Sequence, residues 1–209
     1  IMVHDILLYF HENLGEYRTY LLAHLSLSLQ ALFLASAIGL PLGYLCYKLD
    51  WLKSAIISFV QGFRVIPSLA VLFLLIPLVG IGKMPALIAL TLLALPPILV
   101  NTVLGFLELN SVLLEVSLGL GMKSSQLLWR IQLPLALPYI LTGIKLALVE
   151  LIASTTLAAY IGAGGLGNLI ITGLGLARMD LLVTGGGSVA LLSLVMMLSL
   201  DGLIKGVQK

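Results

Sequence analysis

Five long runs of this chain contain no Asp, Glu, Lys or Arg: residues 19–47, 65–82, 84–107, 151–177 and 181–200. A helix needs about 20 apolar residues to cross the hydrocarbon core of a bilayer. The strands of a membrane barrel have only about 10 residues, and apolar positions alternate with polar ones along them. The five runs are too long and too continuous for such strands. The pattern therefore predicts an all-α protein whose helices cross a membrane several times.

The polar residues between the runs set the boundaries of the predicted transmembrane helices. We place about five of them, in one membrane domain that covers residues 1–209, at about 20–47, 65–82, 84–107, 138–160 and 181–204. Arg64 interrupts the apolar residues before the second helix, so we expect residues 51–64 at or near the membrane surface. Residues 1–18 mix aromatic, acidic and histidine side chains, which is typical of a segment at the membrane interface.

The composition favours the same environment. Hydrophobic residues make up 60% of the chain and charged residues only 10%, whereas an ordinary soluble domain carries about 25% charged residues. A soluble fold of this size could not bury so much apolar surface in one core. We therefore expect a lipid bilayer around the protein and no nucleic-acid partner.

Lysine and arginine indicate which loops face the cytoplasm, where these residues are enriched. If the chain crosses the membrane five times, six lysine and arginine residues lie on one side: Lys48, Lys53, Lys123, Arg130, Lys205 and Lys209. Only Arg18, Lys83 and Arg178 fall on the other side. This asymmetry predicts a cytoplasmic location for the polar loop at 108–130.

That loop contains a spaced motif. It reads E-V-S-L-G-L-G at residues 115–121, and I-Q-L-P follows after nine residues, at 131–134. The stretch resembles the signature of ABC-importer permeases, E-A-A-x-x-x-G followed after nine residues by I-x-L-P. Val116 and Ser117 replace its two alanines. The positions that match the signature are Glu115, Gly121, Ile131, Leu133 and Pro134.

The resemblance implies that residues 111–130 form a cytoplasmic coupling loop that binds an ATPase. Such a loop needs a short, rigid element, and residues 111–118 can form a helix that Gly119 and Gly121 end. Ser124 is expected to cap a second short turn that leads into the fourth span. Small side chains at 117, 119 and 121 would allow the partner to approach closely.

Further stretches extend the resemblance to roughly residues 20–205. They read R-V-I-P-S-L-A-V-L-F-L-L-I-P-L-V-G-I-G at 64–82, R-I-Q-L-P-L-A-L-P-Y-I-L-T-G-I-K at 130–145 and T-L-A-A-Y-I-G-A-G-G-L-G-N-L-I at 156–170. Together they look like the osmoprotectant branch of ABC-importer permeases, which transports glycine betaine, choline or carnitine. The resemblance implies a type I ABC importer permease fold in the bacterial cytoplasmic membrane, with no catalytic chemistry in this chain.

The same resemblance implies a set of partners. These are two copies of an ATPase subunit that binds ATP and Mg, a second permease copy that is identical or similar, and an extracytoplasmic substrate-binding protein. This chain is expected to hold no cofactor and no metal. In some members of the family the binding domain is fused after the last span, so a fused domain can follow Lys209.

A glycine-rich turn, G-A-G-G-L-G, follows the fourth predicted helix at residues 162–167. It satisfies the spacing G-x-G-x-x-G, but a dinucleotide site needs a preceding soluble strand and an acidic residue about 20 positions later. Here a membrane span precedes the glycines, and the Lys-Ser/Thr pair of a phosphate-binding loop is missing. We interpret the segment as a flexible turn that forms an outer gate at the mouth of the pathway, built from Gly162, Gly164, Gly165 and Gly167.

Two charged residues fall inside the fourth predicted helix. Lys145 and Glu150 are five positions apart, which is about 140° around a helix, so they do not share a face. Lys145 is expected to reach the cytoplasmic head groups. Charges at mid-membrane usually face a pore or a partner, so Glu150 either lines the pathway and favours a cationic substrate or accepts hydrogen bonds from Ser154, Thr155 or a neighbouring helix.

Two alternative functions stay open on the sequence. An ABC permease of this kind could transport a methionine-like amino acid or a thiol-betaine instead. A secondary transporter or channel would work without ATP, but such folds often show internal repeats and paired ionisable residues at mid-membrane. We find no repeat and only one deep acidic residue. Co-purification of an ATPase would distinguish the two classes.

Overall fold

The computed structural model of the chain describes residues 2–207, excluding the side chains of residues 2, 3, 52 and 207. Its described residues form helices and no strand. The nine α-helices are α1 Met2–Lys48, α2 Asp50–Gly62, α3 Ser68–Val79, α4 Lys83–Leu107, α5 Ser111–Gly119, α6 Ser124–Leu127, α7 Leu133–Ala158, α8 Gly167–Gly175 and α9 Met179–Val207. The prediction of an all-α fold is confirmed.

Among the described residues, four segments are long and apolar enough to cross a membrane: His4–Lys48, Lys83–Leu107, Ser124–Ile161 and Met179–Gly206. The helices predicted at 84–107 and 181–204 agree with α4 and α9 to within a few residues. The helix predicted at 138–160 begins earlier, because α6, a π-helical turn at Leu128–Gln132 and α7 are continuous.

The second predicted helix, at 65–82, is not one straight segment. Its helical part is α3, whose 12 residues extend roughly 18 Å, less than the hydrocarbon core requires. The segment before it, Lys53–Val65, meets α3 at 99°. Pro67 causes the bend, since proline disfavours the helical conformation in the residue before it, and Ile66 is extended with φ −79° and ψ 124°. The fifth span exists only if this bent pair is counted as one.

The N-terminal segment is continuous with the first span. α1 runs through residue 18 without a break, and its irregular position is Asn13, with φ −121° and ψ 25°. The boundary that we predicted at residue 18 therefore lies five residues earlier. Tyr9 packs into a cluster with Leu166 and Leu169 near α8 and Leu181 of α9.

Helix α4 is the centre of the bundle and packs against α1, α3 and α7. Small residues bring the helix backbones close together, as is common where helices meet in membranes. A Cβ added to Gly43 of α1 would lie 2.7 Å from Thr102 Cβ of α4. A Cβ added to Gly143 of α7 would lie 2.8 Å from the carbonyl oxygen of Pro97. Helices α8 and α9 pack against each other and complete the bundle beside α7.

Candidate functional site

Helix α5 carries the first half of the motif, and its principal packing partner is the short helix α6. Asn110 caps its N-terminus: the side-chain oxygen accepts a hydrogen bond of 2.9 Å from the N–H of Val112, which satisfies a donor that the helix leaves free. At the C-terminus, the N–H groups of Gly121 and Met122 donate to carbonyls of the last turn, at 2.9 and 3.2 Å. Gly121 has φ +84°, so the predicted glycine stop is a Schellman motif.

The outward surface of α5 is apolar and uncovered. Glu115 is exposed, and a Cβ added to Gly119 or Gly121 would meet no atom within 4 Å. Exposed apolar patches of this kind mark surfaces that bind other proteins. The apolar side chains, each between 41% and 81% exposed, are Val112, Leu113, Val116, Leu118 and Leu120.

Ser117 does not belong to that surface. It is only 4% exposed, and its hydroxyl donates to the carbonyl of Leu113 at 2.7 Å. The prediction that the three small residues share one docking face is therefore wrong for Ser117. Only Gly119 and Gly121 leave open space for a partner.

The second half of the motif lies where α6 continues into α7. Ile131 belongs to the π-helical turn Leu128–Gln132, and Leu133 and Pro134 begin α7. Because Pro134 has no N–H, the carbonyl four residues earlier loses its usual helical partner, and a π-turn is where a helix absorbs such a defect. Ile131 and Leu133 are partly buried, and Leu133 packs against Phe106, Ala136 and Ile140. This half anchors the loop in the bundle, whereas the α5 half is exposed.

The cap of α6 differs from the prediction. Lys123, and not Ser124, occupies the N-cap position. The N–H of Lys123 donates to the side-chain oxygen of Gln126 at 2.9 Å. The Gln126 side chain, at the third position of the helix, thus satisfies the N–H of the N-cap residue, which is a different contact from the one that we predicted for Ser124.

The glycine-rich turn is packed into the bundle and is not an open loop. Gly162, Gly164 and Gly165 have φ of +78°, +82° and +91°, which glycine adopts readily. A Cβ added to Gly165 would lie 3.2 Å from Nδ1 of His24 in α1, and one added to Gly167 would lie 2.1 Å from the carbonyl oxygen of Thr156. Gly165 and Gly167 therefore let the turn approach α1 and α7 closely, whereas a Cβ added to Gly162 or Gly164 would meet no atom within 4 Å.

Glu150 lies in the second half of α7 and is partly exposed. One turn later, Ala153 and Ser154 line an open groove of about 310 Å³ between α3, α7, α8 and α9. In the described part of the chain Glu150 receives no hydrogen bond from Ser154 or Thr155, and the Thr155 hydroxyl pairs with Ser28 at 2.9 Å. Glu150 is thus placed beside the groove.

This arrangement, an apolar bundle with a protruding helix that carries the motif, can be compared with known proteins. The model of the family described as "Binding-protein-dependent transport system inner membrane component" matches residues 35–209. The chain belongs to this family. It is a multi-pass membrane permease of the ABC type, and its resemblance to the osmoprotectant branch is confirmed by the relatives.

Two curated relatives match the permease over most of both chains. It is 39% identical to the carnitine transport permease protein OpuCB of Listeria monocytogenes, over 95% of this chain and 91% of that protein. It is 38% identical to the choline transport system permease protein OpuBB of Bacillus subtilis, over 92% of this chain and 89% of that protein.

A solved structure shows the same fold. A chain of the MetNI methionine ABC transporter in an inward-facing conformation aligns with a TM-score of 0.83 and 25% identity, over 92% of the permease and 96% of that chain. The expected type I ABC importer permease fold is confirmed.

The sequence analysis missed one charged residue in the permease. Nζ of Lys145 lies 2.6 Å from Oδ1 of Asp201 in α9, a partner that was not predicted for it. Asp201 falls within the helix predicted at 181–204, and a carboxylate there needs a partner. A carboxylate inside a predicted transmembrane helix was therefore the signal in the sequence for a paired cation. The sequence does not show that α7 and α9 are neighbours, so it did not identify Lys145 as that cation.

Proposed function

We propose that this chain is the permease subunit of an ATP-driven ABC importer for osmoprotectants such as glycine betaine, choline or carnitine. The observation that carries the proposal is the exposed helix α5 with the coupling signature, in a chain 36–39% identical to carnitine and choline permeases over more than 90% of its length.

In this proposal, Glu115 and Gly121 contact the ATPase through the open side of α5. Ile131, Leu133 and Pro134 pass the movement of that helix into α7, because α6, the π-helical turn and α7 are continuous after the four-residue turn that follows α5. ATP and Mg belong to the ATPase. The permease itself is not an enzyme and holds no cofactor or metal.

The assembly that we propose contains two ATPase subunits, two permease copies and an extracytoplasmic substrate-binding protein, in the bacterial cell membrane. A fused binding domain after residue 209 is the alternative arrangement. A relative in Helicobacter pylori, the "Ergothioneine transport permease/ergothioneine binding protein EgtU", supports this arrangement. It is 35% identical over 163 residues, and the match covers only 30% of that longer protein.

We propose that the groove beside Glu150 forms one wall of the pathway. The turn with Gly162, Gly164, Gly165 and Gly167 closes the outer end of α7, where the N–H of Gly82 also donates to the carbonyl of Ile161 at 2.7 Å. Two loops thus meet at this end of the bundle, as an outer gate requires.

The alternative substrates are a thiol-betaine, which the EgtU relative supports, and a methionine-like amino acid, which the MetNI structure supports. The deciding experiment reconstitutes the permease with its ATPase and binding protein in proteoliposomes. Glycine betaine, choline and carnitine should each be tested against ergothioneine and methionine for stimulation of ATP hydrolysis and for uptake. If only ergothioneine or methionine stimulates ATP hydrolysis, the osmoprotectant proposal is wrong, and the assignment as an ABC permease stands.

A further inference from the structure

A second groove lies on the other side of the bundle, near the end that carries α5. It has a volume of about 490 Å³ and is bounded by α1, α4, the π-helical turn and α7. The surface that lines it is entirely apolar. Among its lining residues are Leu40, Tyr44, Phe106, Trp129, Leu137 and Ile144.

This groove is separate from the one beside Glu150, with which it shares only α7. It exposes no polar atom that could hold the carboxylate of a zwitterionic osmoprotectant, and polar ligands need a few placed polar partners. A chain of apolar carbon atoms fits this lining better. In a membrane protein the abundant source of such chains is the lipid itself.

The mouth of the groove has a lysine and aromatic side chains that could bind the head group of a lipid. Nζ of Lys48 lies 5.6 Å from the ring centroid of Tyr44, which lines the groove, and 5.8 Å from that of Tyr47. Lys48 is exposed and forms no ion pair within residues 2–207. Tyr44 and Trp129 have the amphipathic rings that lie at head-group depth in membranes. A cation thus lies beside an aromatic side chain that lines the apolar groove.

We propose that this groove binds one acyl chain of a phospholipid from the leaflet at the α5 end, and that Lys48 binds its phosphate. A chain in a concave groove contacts protein on several sides, which adds dispersion contacts that a lipid on a convex helix face does not make. Because the nearby charge is positive and unpaired, the site favours a lipid with a net negative head group. The lipid would pack directly against Leu128, Trp129 and Leu133, at the anchor of the coupling loop.

Tryptophan fluorescence tests the proposal, because the chain has only two tryptophans. Trp51→Phe leaves Trp129, which lines the groove, as the single reporter. The protein is reconstituted in phosphatidylcholine vesicles with a minor fraction of phosphatidylglycerol, and only one of the two lipids carries brominated, quenching chains. Labelled phosphatidylglycerol should quench Trp129 as though its local fraction were about fivefold above the bulk, the effect expected of one lysine at the membrane surface.

The matched control places a reporter at an exposed apolar position outside the groove. In the triple variant Trp51→Phe, Trp129→Phe, Leu22→Trp, the tryptophan replaces a side chain that is 61% exposed on α1, and its quenching should follow the bulk lipid fractions. Lys48→Gln should remove the preference at Trp129. Leu141→Phe, which fills the groove, should reduce quenching by both labels. Retained helical circular dichroism shows that each variant is folded.

Three results would overturn the proposal. Quenching of Trp129 in proportion to bulk composition would make its lipids ordinary bilayer neighbours. No quenching by either label would mean that protein, such as a second permease copy, covers the groove. An unchanged preference in Lys48→Gln would remove the proposed phosphate contact.

Discussion

The ion pair between Lys145 and Asp201 joins α7 to α9 within the segments that cross the membrane. Lys145→Met leaves the carboxylate without its cation, and we expect a loss of about 2–3 kcal/mol in unfolding free energy, the typical cost of a charge in the membrane interior. Lys145→Met combined with Asp201→Leu should recover most of the loss. Titration of the purified variants with a denaturing detergent measures both, and single variants as stable as the wild type would contradict the pairing.

At Glu150 the two alternatives predict different effects of substitution, and Thr155, one of the donors considered for its carboxylate, is paired with Ser28. Glu150→Gln should slow choline uptake about fivefold, the Coulomb effect of one charge at moderate distance, and slow glycine betaine less because its net charge is zero. Uptake of both substrates in proteoliposomes measures these effects. Equal slowing of the two substrates by Glu150→Gln would indicate a structural role.

The conformation of a single residue could be predicted where it depends only on the chemistry of that residue. The positive φ of Gly121 follows from the stop of a short helix, and glycine is the residue that supplies it. The partner of Lys145 could not be predicted in the same way. Asp201 is 56 positions away along the chain, and only the packing of α7 against α9 brings the two charges together.

At the scale of elements, helix α5 allows a sharper test of coupling than its signature glycine. Any side chain at Gly121 is strained by its φ of +84°, so a loss of function there would not separate docking from local folding. Gly119 is helical, and a Cβ there meets open space.

We therefore expect Gly119→Ala to keep substrate-stimulated ATP hydrolysis. Gly119→Asp should reduce it by about tenfold or more, because a charge buried without a partner at an interface is costly. The two variants should express, fold and bind lipid alike. Equal stimulation of ATP hydrolysis in both reconstituted complexes would show that this side of α5 does not face the ATPase.

At the scale of the whole molecule, a single permease leaves the groove that we propose as its pathway open on one side. The groove between α3, α7, α8 and α9 is broad and unroofed, and the outer face of α9 exposes Leu191, Leu194, Leu198 and Leu203. A closed pathway needs a second wall, which a second copy would supply. Subunit counting by photobleaching of labelled permease in lipid nanodiscs should give two copies in each transport-competent complex. Full transport activity with one copy would contradict this arrangement.

The sequence by itself determined the properties that depend on short stretches of the chain. The lengths of α4 and α9 follow from the lengths of uncharged apolar runs, since lipid accepts only helices with satisfied backbone groups there. The ends of α5 follow from Asn110 and Gly121, which act on the backbone within a few positions.

Tertiary structure decided what depends on residues far apart. Gly165 lies against His24, and Gly43 against Thr102, because their helices pack together. The bend between α2 and α3 began with Pro67, but its angle of 99° is set by how α3 packs on α4 and α7. No local pattern encodes these choices, since each is fixed by contacts between helices that the folded bundle alone brings together.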